Sequence, residues 1–151
     1  MLKQLRRVFA SFQDHEVKYV VIGGMAAILH GVPRATFDCD ILIEASLENA
    51  KRLIEALEAA GLGTASLTSP EELLATEVTI FKDYVRIDIQ THTPGLEFGK
   101  AWALRESRNY EGQRFFILSR DDLIASKKAA GRKVDLEDVR LLDIDKPRQS
   151  S

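Results

Sequence analysis

Cysteine occurs only once among the 151 residues, at Cys39, so no disulfide can form within the chain and a reducing compartment is expected. Long apolar runs are also missing. The longest, residues 19–29, is interrupted by Gly23 and Gly24 and is shorter than the roughly 20 residues a membrane span needs. Lys3, Arg6 and Arg7 are not followed by an apolar stretch, so no secretory leader is expected and a cytoplasmic location is. Neither sign of charge dominates: 21 Lys and Arg face 23 Asp and Glu, a net charge of −2. Such a chain does not hold a polyanion by bulk charge, so any contact with phosphate or nucleic acid must be local. With 45% hydrophobic and 29% charged residues, disorder, collagen and coiled coil are excluded as descriptions of the whole chain. One domain over residues 1–144 with a polar tail over 145–151 is expected, without internal repeats.

What is present alternates between helical and extended patterns. Leu2, Leu5, Val8, Phe9 and Phe12 recur at helical spacing over residues 2–13. Tyr19 to Ile22 reads as a buried strand, Met25 to His30 as a short helix and Phe37 to Glu44 as a second strand. Ser46 can cap a helix whose apolar face is Leu47, Ala50, Leu53, Ile54 and Leu57. Gly63 to Ser69 reads as a polar loop, and Ser69-Pro70-Glu71-Glu72 as a capping box opening a short helix. Glu77 to Lys82 and Tyr84 to Gln90 form a hairpin pattern, followed by a helix over 97–105 and a strand over 113–118. Ser119 caps a helix to about Ala130, and a last helix covers 134–142. The fold class is therefore α/β or α+β, a mixed sheet flanked by helices.

The most informative residues are acids in the wrong place. Asp38 and Asp40 sit at i and i+2 in the otherwise apolar run Phe37-Asp38-Cys39-Asp40-Ile41-Leu42-Ile43, so a strand would present both on one face. Two carboxylates side by side repel, and partial burial raises that cost. A cation would offset it, a divalent metal with oxygen ligands being the natural candidate. Asp88 repeats the anomaly, on the Arg86/Asp88/Gln90 face of a strand whose other face is Val85, Ile87 and Ile89. If the two strands are neighbours, three carboxylates converge, a set suited to one or two Mg²⁺ ions; solvated edge-strand acids are the plain alternative.

Gly23-Gly24 lies between a strand and a helix, where backbone N–H groups can approach an anion or simply turn the chain. It matches neither the dinucleotide fingerprint nor a Walker A loop. Arg34 and Thr36 precede the carboxylate pair, and His30 ends the short helix. Lys127, Lys128, Arg132 and Lys133 form a local basic patch. Lys127 is expected to share the inward helix face of Leu123, with its ammonium reaching the domain's edge. Asp135 and Asp138 could both pair with Arg132.

Together these pieces resemble the nucleotidyltransferase superfamily, with its polymerase-β-like fold. The resemblance rests on Val21-Ile22-Gly23-Gly24, then Asp38-Cys39-Asp40-Ile41, and Asp88 within Arg86-Ile87-Asp88-Ile89. The run from His30 through Gly31, Arg34 and Thr36 to Asp38 looks like that of small bacterial members. The segment from Asp122 to Asp138 is similar to the AbiEii-like toxins and single-domain antibiotic nucleotidyltransferases. Met25 stands where many members carry Ser. The resemblance implies that Asp38, Asp40 and Asp88 are the catalytic and metal-binding residues. It further implies that Gly23, Gly24, Arg34, Thr36 and Lys127 bind a nucleoside triphosphate. The implied activity is transfer of a nucleoside monophosphate to a hydroxyl on a small molecule, tRNA or protein. A partner protein or a second copy is expected to complete the site. The competing reading is a non-catalytic interaction module of a toxin–antitoxin pair.

Overall fold

The computed structural model describes residues 1–144. The expected polar tail over 145–151 lies outside the described residues. Among the described residues six strands form one mixed sheet: β1 (Tyr19–Ile22), β2 (Cys39–Ile43), β3 (Val78–Lys82), β4 (Arg86–Gln90), β5 (Glu106–Tyr110) and β6 (Gln113–Ile117), in the order β3-β4-β2-β1-β6-β5. The helices are α1 (Leu2–Asp14), α2 (Gly23–Leu29), α3 (Leu47–Ala59), α4 (Pro70–Ala75), α5 (Phe98–Ala103), α6 (Arg120–Ala130) and α7 (Lys133–Ile144). None of these helices is long and apolar enough to cross a membrane.

Strand pairing follows from burial. β1 is buried along its whole length and takes the centre, antiparallel to β2 and parallel to β6. β2 and β4 run parallel, joined by a crossover through α3, α4 and β3. The pleat then sorts side chains onto two faces. Cys39, Ile41, Ile87 and Ile89 are at most 1% exposed, and lie on the face that α1 helps to cover. Phe9 of α1 stacks on Phe115 of β6 with ring centroids 4.5 Å apart, and Phe12 meets Tyr19 of β1 edge-on at 4.9 Å. Asp38, Asp40 and Asp88 lie on the opposite face.

Local signals set the helix ends. The Oγ atoms of Ser46, Ser69 and Ser119 accept hydrogen bonds from the N–H groups of Asn49, Glu72 and Asp122. Gly131 closes α6 in the left-handed conformation, φ +67°. Two expectations need correcting, and one strand was not expected. Residues 63–67 form a 3₁₀ turn within the expected loop. The short helix begins at Gly23 rather than Met25, so both glycines lie in its first turn. β5 has no apolar run to announce it. It pairs with β6 as the outer strand through a two-residue turn, Glu111 and Gly112, both at positive φ.

Candidate active site

In the parallel pair β2–β4, Asp40 stands directly opposite Asp88. Asp38 lies one residue before β2 on the same side, and carboxylate oxygens of all three lie within 4.8 Å of one another. Period 2 placed each acid on its face, and strand adjacency brought the faces together. Asp88 is 7% exposed, while Asp38 and Asp40 are half-buried.

Such crowding shows in the protonation of Asp40. Burial first, then the charges of Asp38 and Asp88, push its pKa up to about 6, against the opposing pull of Lys127 and Arg86. Burial first, then the charges of Asp40, Asp38 and Asp88, push the Cys39 thiol up, so it is held as the inert thiol. Part of the repulsion is offset from within the chain. The Arg86 guanidinium donates to both Asp88 oxygens, from Nε at 3.0 Å and a terminal nitrogen at 3.1 Å, and its Nε lies 3.9 Å from Asp38. One guanidinium facing three carboxylates leaves the site electronegative. An all-oxygen donor set with surplus negative charge fits a hard divalent cation such as Mg²⁺.

The raised pKa has a thermodynamic consequence. A carboxyl that holds its proton more tightly when folded favours folding at low pH, and that advantage disappears as pH rises from about 4 through 6. A shift of roughly two units corresponds to about 2–3 kcal/mol at most. His30, whose pKa is lowered mainly by burial, acts in the opposite sense below its unfolded value. Comparing Asp40→Asn with wild type cancels that contribution. In EDTA, urea melts should show the variant's advantage growing between pH 4.5 and pH 8; an advantage independent of pH would contradict the electrostatic account.

Around the acids the structure gathers most of the other sequence candidates. Gly23 has φ +65°, and its bare Cα leaves room for the Asp40 carboxylate, since a Cβ there would collide with Oδ2. A Cβ on Gly24 would sit 2.9 Å from a terminal nitrogen of Arg34 and 3.3 Å from Thr36 Oγ1. The Thr36 hydroxyl donates to Asp38 Oδ1 at 3.1 Å. Gly23, Asp40, Lys127, Arg132 and Asp135 line a cavity of about 160 Å³.

Lys127 differs from its expected position. Its ammonium does not reach the edge of the domain: the side chain is 5% exposed and pairs with Asp138 at 2.8 Å and Asp135 at 3.6 Å. Asp138 also accepts from Arg34 at 2.9 Å, while Arg132 pairs with Asp135 and not with Asp138. A chain of charges, Arg34–Asp138–Lys127–Asp135–Arg132, thus ties the loop before β2 to α6 and α7. The Asp135/Asp138 spacing of i, i+3 was the sequence signal for it. Breaking a buried pair by removing one partner strands the other charge. Lys127→Met should therefore cost about 3 kcal/mol in urea melts, whereas a change below 0.5 kcal/mol would show that Arg34 and Arg132 alone satisfy both acids. His30 is turned away from the acids, its Nε2 bonded to Leu118 O at 2.8 Å, which makes it a structural residue.

A mixed sheet with three convergent acids beside a strand–Gly-Gly–helix turn defines a protein of the nucleotidyltransferase fold. The chain belongs to the family described as "Nucleotidyltransferase of unknown function (DUF6036)", which matches residues 2–146. The fold is similar to the crystal structure of a "putative nucleotidyltransferase" from Thermotoga maritima, with a TM-score of 0.62 and 19% sequence identity over 96% of this chain and 93% of that one. No curated protein matches the chain significantly.

Proposed function

We propose that this protein transfers a nucleoside monophosphate from a nucleoside triphosphate to a hydroxyl acceptor, with Asp38, Asp40 and Asp88 holding one or two Mg²⁺ ions. The observation that carries the reading is the meeting of three carboxylates from two strands at one point, with Asp40 destabilised as an anion. Magnesium bound there supplies charge neutralisation and polarisation of the phosphates. The chain's own residues do the rest. The cavity lined by Gly23 and Lys127 is the place for the triphosphate, whose oxygens the N–H groups of the Gly23-Gly24 turn would meet, with Arg34 beside Gly24 and Lys127, both paired to Asp138, adding positive charge nearby. Thr36 orients Asp38. Asp88 accepts the proton of the acceptor hydroxyl. The hydroxyl oxygen then bonds to the α-phosphorus, the bond from that phosphorus to the bridging oxygen breaks, and pyrophosphate leaves with the electron pair.

Incubating the protein with a cell extract and each of the four nucleoside triphosphates, labelled on the α- or the γ-phosphate, tests this. Label from the α-position, and not from the γ-position, should enter an acceptor, and Asp38→Ala should abolish it without unfolding the domain. Transfer of the γ-label would mean a kinase. No transfer and no Mg²⁺-dependent nucleotide binding would favour a non-catalytic interaction module.

A further inference from the structure

Independently of the transferase reading, we infer that the protein carries a second ligand site, at the end of β1 away from Gly23, which takes a small aromatic carboxylate between Tyr19, Trp102, Phe116 and Arg114.

A cavity of about 290 Å³ opens at the start of β1, where the end of α1, α5 and β6 meet. None of its lining residues lines the cavity beside the acids. Tyr19 opens the strand whose last residue, Ile22, precedes Gly23. At a rise of 3.3 Å per residue, Tyr19 and Gly23 are about 13 Å apart. A ligand here does not compete for the place of the triphosphate.

The walls are aromatic. The Tyr19 ring lies 5.8 Å from that of Phe116, tilted by 46°, and Trp102 meets Phe116 edge-on at 5.4 Å. The Arg105 guanidinium covers these two rings from one side, 3.7 Å from the Trp102 centroid and 4.5 Å from that of Phe116. Both rings are nevertheless only half-buried, and both line the cavity. Another flat ring placed there gains edge-to-face and offset contacts.

The polar groups of the lining are donors that lack acceptors. Tyr19 is 2% exposed. The N–H of Phe116 donates to its hydroxyl at 3.4 Å, but among the described residues that hydroxyl donates to nothing. A buried Tyr hydroxyl ordinarily finds a partner. The Trp102 indole N–H has no acceptor among the described residues either. Arg114 lies 5.1 Å over the Phe116 ring and has no carboxylate partner among them. Glu16 is the acid of the lining, and Lys18 pairs with Glu44 at 3.5 Å. Unmatched donors around a ring-lined space call for an anionic acceptor on an apolar body. A carboxylate offers two oxygens to the fork of a guanidinium, and an aromatic ring suits the walls. A cationic ligand would face Arg114, and a hydrocarbon would leave the Tyr19 proton buried without a partner.

Trp102 is the one tryptophan of the sequence, so the ¹⁵N spectrum of the full chain has a single indole cross-peak, and that peak reports on this cavity. Titration with 3-phenylpropionate at neutral pH should move it along a saturating curve, with a dissociation constant of about 1 mM or below. The amide of the same compound keeps the ring without the charge and should bind at least about ten-fold more weakly. Hexanoate keeps the charge without the ring and should bind at least about three-fold more weakly. Arg114→Gln, at an exposed residue, should narrow the gap between acid and amide at least about five-fold. Tyr19→Phe should weaken the acid by a similar factor. Lys51→Gln, at an exposed cation on α3, should bind the acid as wild type does. Cross-peaks away from the cavity, unmoved in each variant, separate lost binding from a lost fold. An indole peak that no probe moves, an amide or hexanoate that binds as tightly as the acid, or an Arg114→Gln gap equal to that of wild type would overturn the inference.

Discussion

Asp40→Asn is expected to lower Mg²⁺-dependent nucleotidyl transfer by roughly 10²–10³-fold or more, and at the same time to raise the stability of the metal-free protein. The two effects have one origin. Asp40 is placed opposite Asp88 and beside Asp38, and burial with these two charges holds its pKa near 6. At pH 8 the folded protein carries this anion at a cost the unfolded chain does not bear. Asparagine fills the same space without the charge, so the variant should be more stable in EDTA, by about 2–3 kcal/mol at most at 1.36 kcal/mol per pKa unit. Saturating Mg²⁺ should reverse the order, because only wild type gains from the ion; at a thousand times the dissociation constant that gain is about 4 kcal/mol, more than the variant's advantage. Urea melts of both proteins with and without Mg²⁺ give the four midpoints. A variant less stable than wild type in EDTA would show that the Asp40 charge is already well compensated.

Gly23→Ala should be nearly as damaging to binding while changing a single methyl group. Residue 23 has φ +65°, which favours glycine, and its missing Cβ leaves the space that Asp40 Oδ2 occupies. Alanine imposes about 1–2 kcal/mol of backbone strain and also drives the carboxylate away from its two neighbours. Mg²⁺-dependent nucleotide binding, measured by calorimetry, should weaken at least ten-fold. Gly112→Ala separates the two causes. Gly112 has φ +84° with open space where its Cβ would stand, so that variant carries the strain without the collision. It should lose a similar stability and keep nucleotide binding. Equal binding by Gly23→Ala and wild type would mean that the position of the Asp40 carboxylate is unimportant.

The acids were legible because each violates its surroundings. Asp in an apolar, β-branched strand is a local conflict that single-sequence reasoning detects, and period 2 assigns its face. The pairing of β2 with β4 was not legible: parallel neighbours are chosen by the packing of a long crossover, and nothing in Asp38-Cys39-Asp40 specifies Arg86-Ile87-Asp88 as the partner. The Arg86 bridge to Asp88 was open to view as an i, i+2 pair, yet its approach to Asp38 depends on that same pairing. Lys127 illustrates the opposite error. Helical spacing placed it on the inward face, and its length suggested escape to solvent. Asp138, from a helix whose placement is tertiary, holds it inside instead. β5 escaped notice because its residues, Glu106 to Tyr110, carry no strand pattern of their own and are recruited by β6.

The central claim is that the three carboxylates form one cation site serving a triphosphate. Crystals grown with Mn²⁺ and a non-hydrolysable nucleoside triphosphate analogue test it most directly. Anomalous scattering should place metal among Asp38, Asp40 and Asp88, with the Arg86–Asp88 bonds broken and the phosphates toward Gly23 and Lys127. Metal bound elsewhere, or Arg86 still bridging Asp88 with no metal there at millimolar Mn²⁺, would contradict the account.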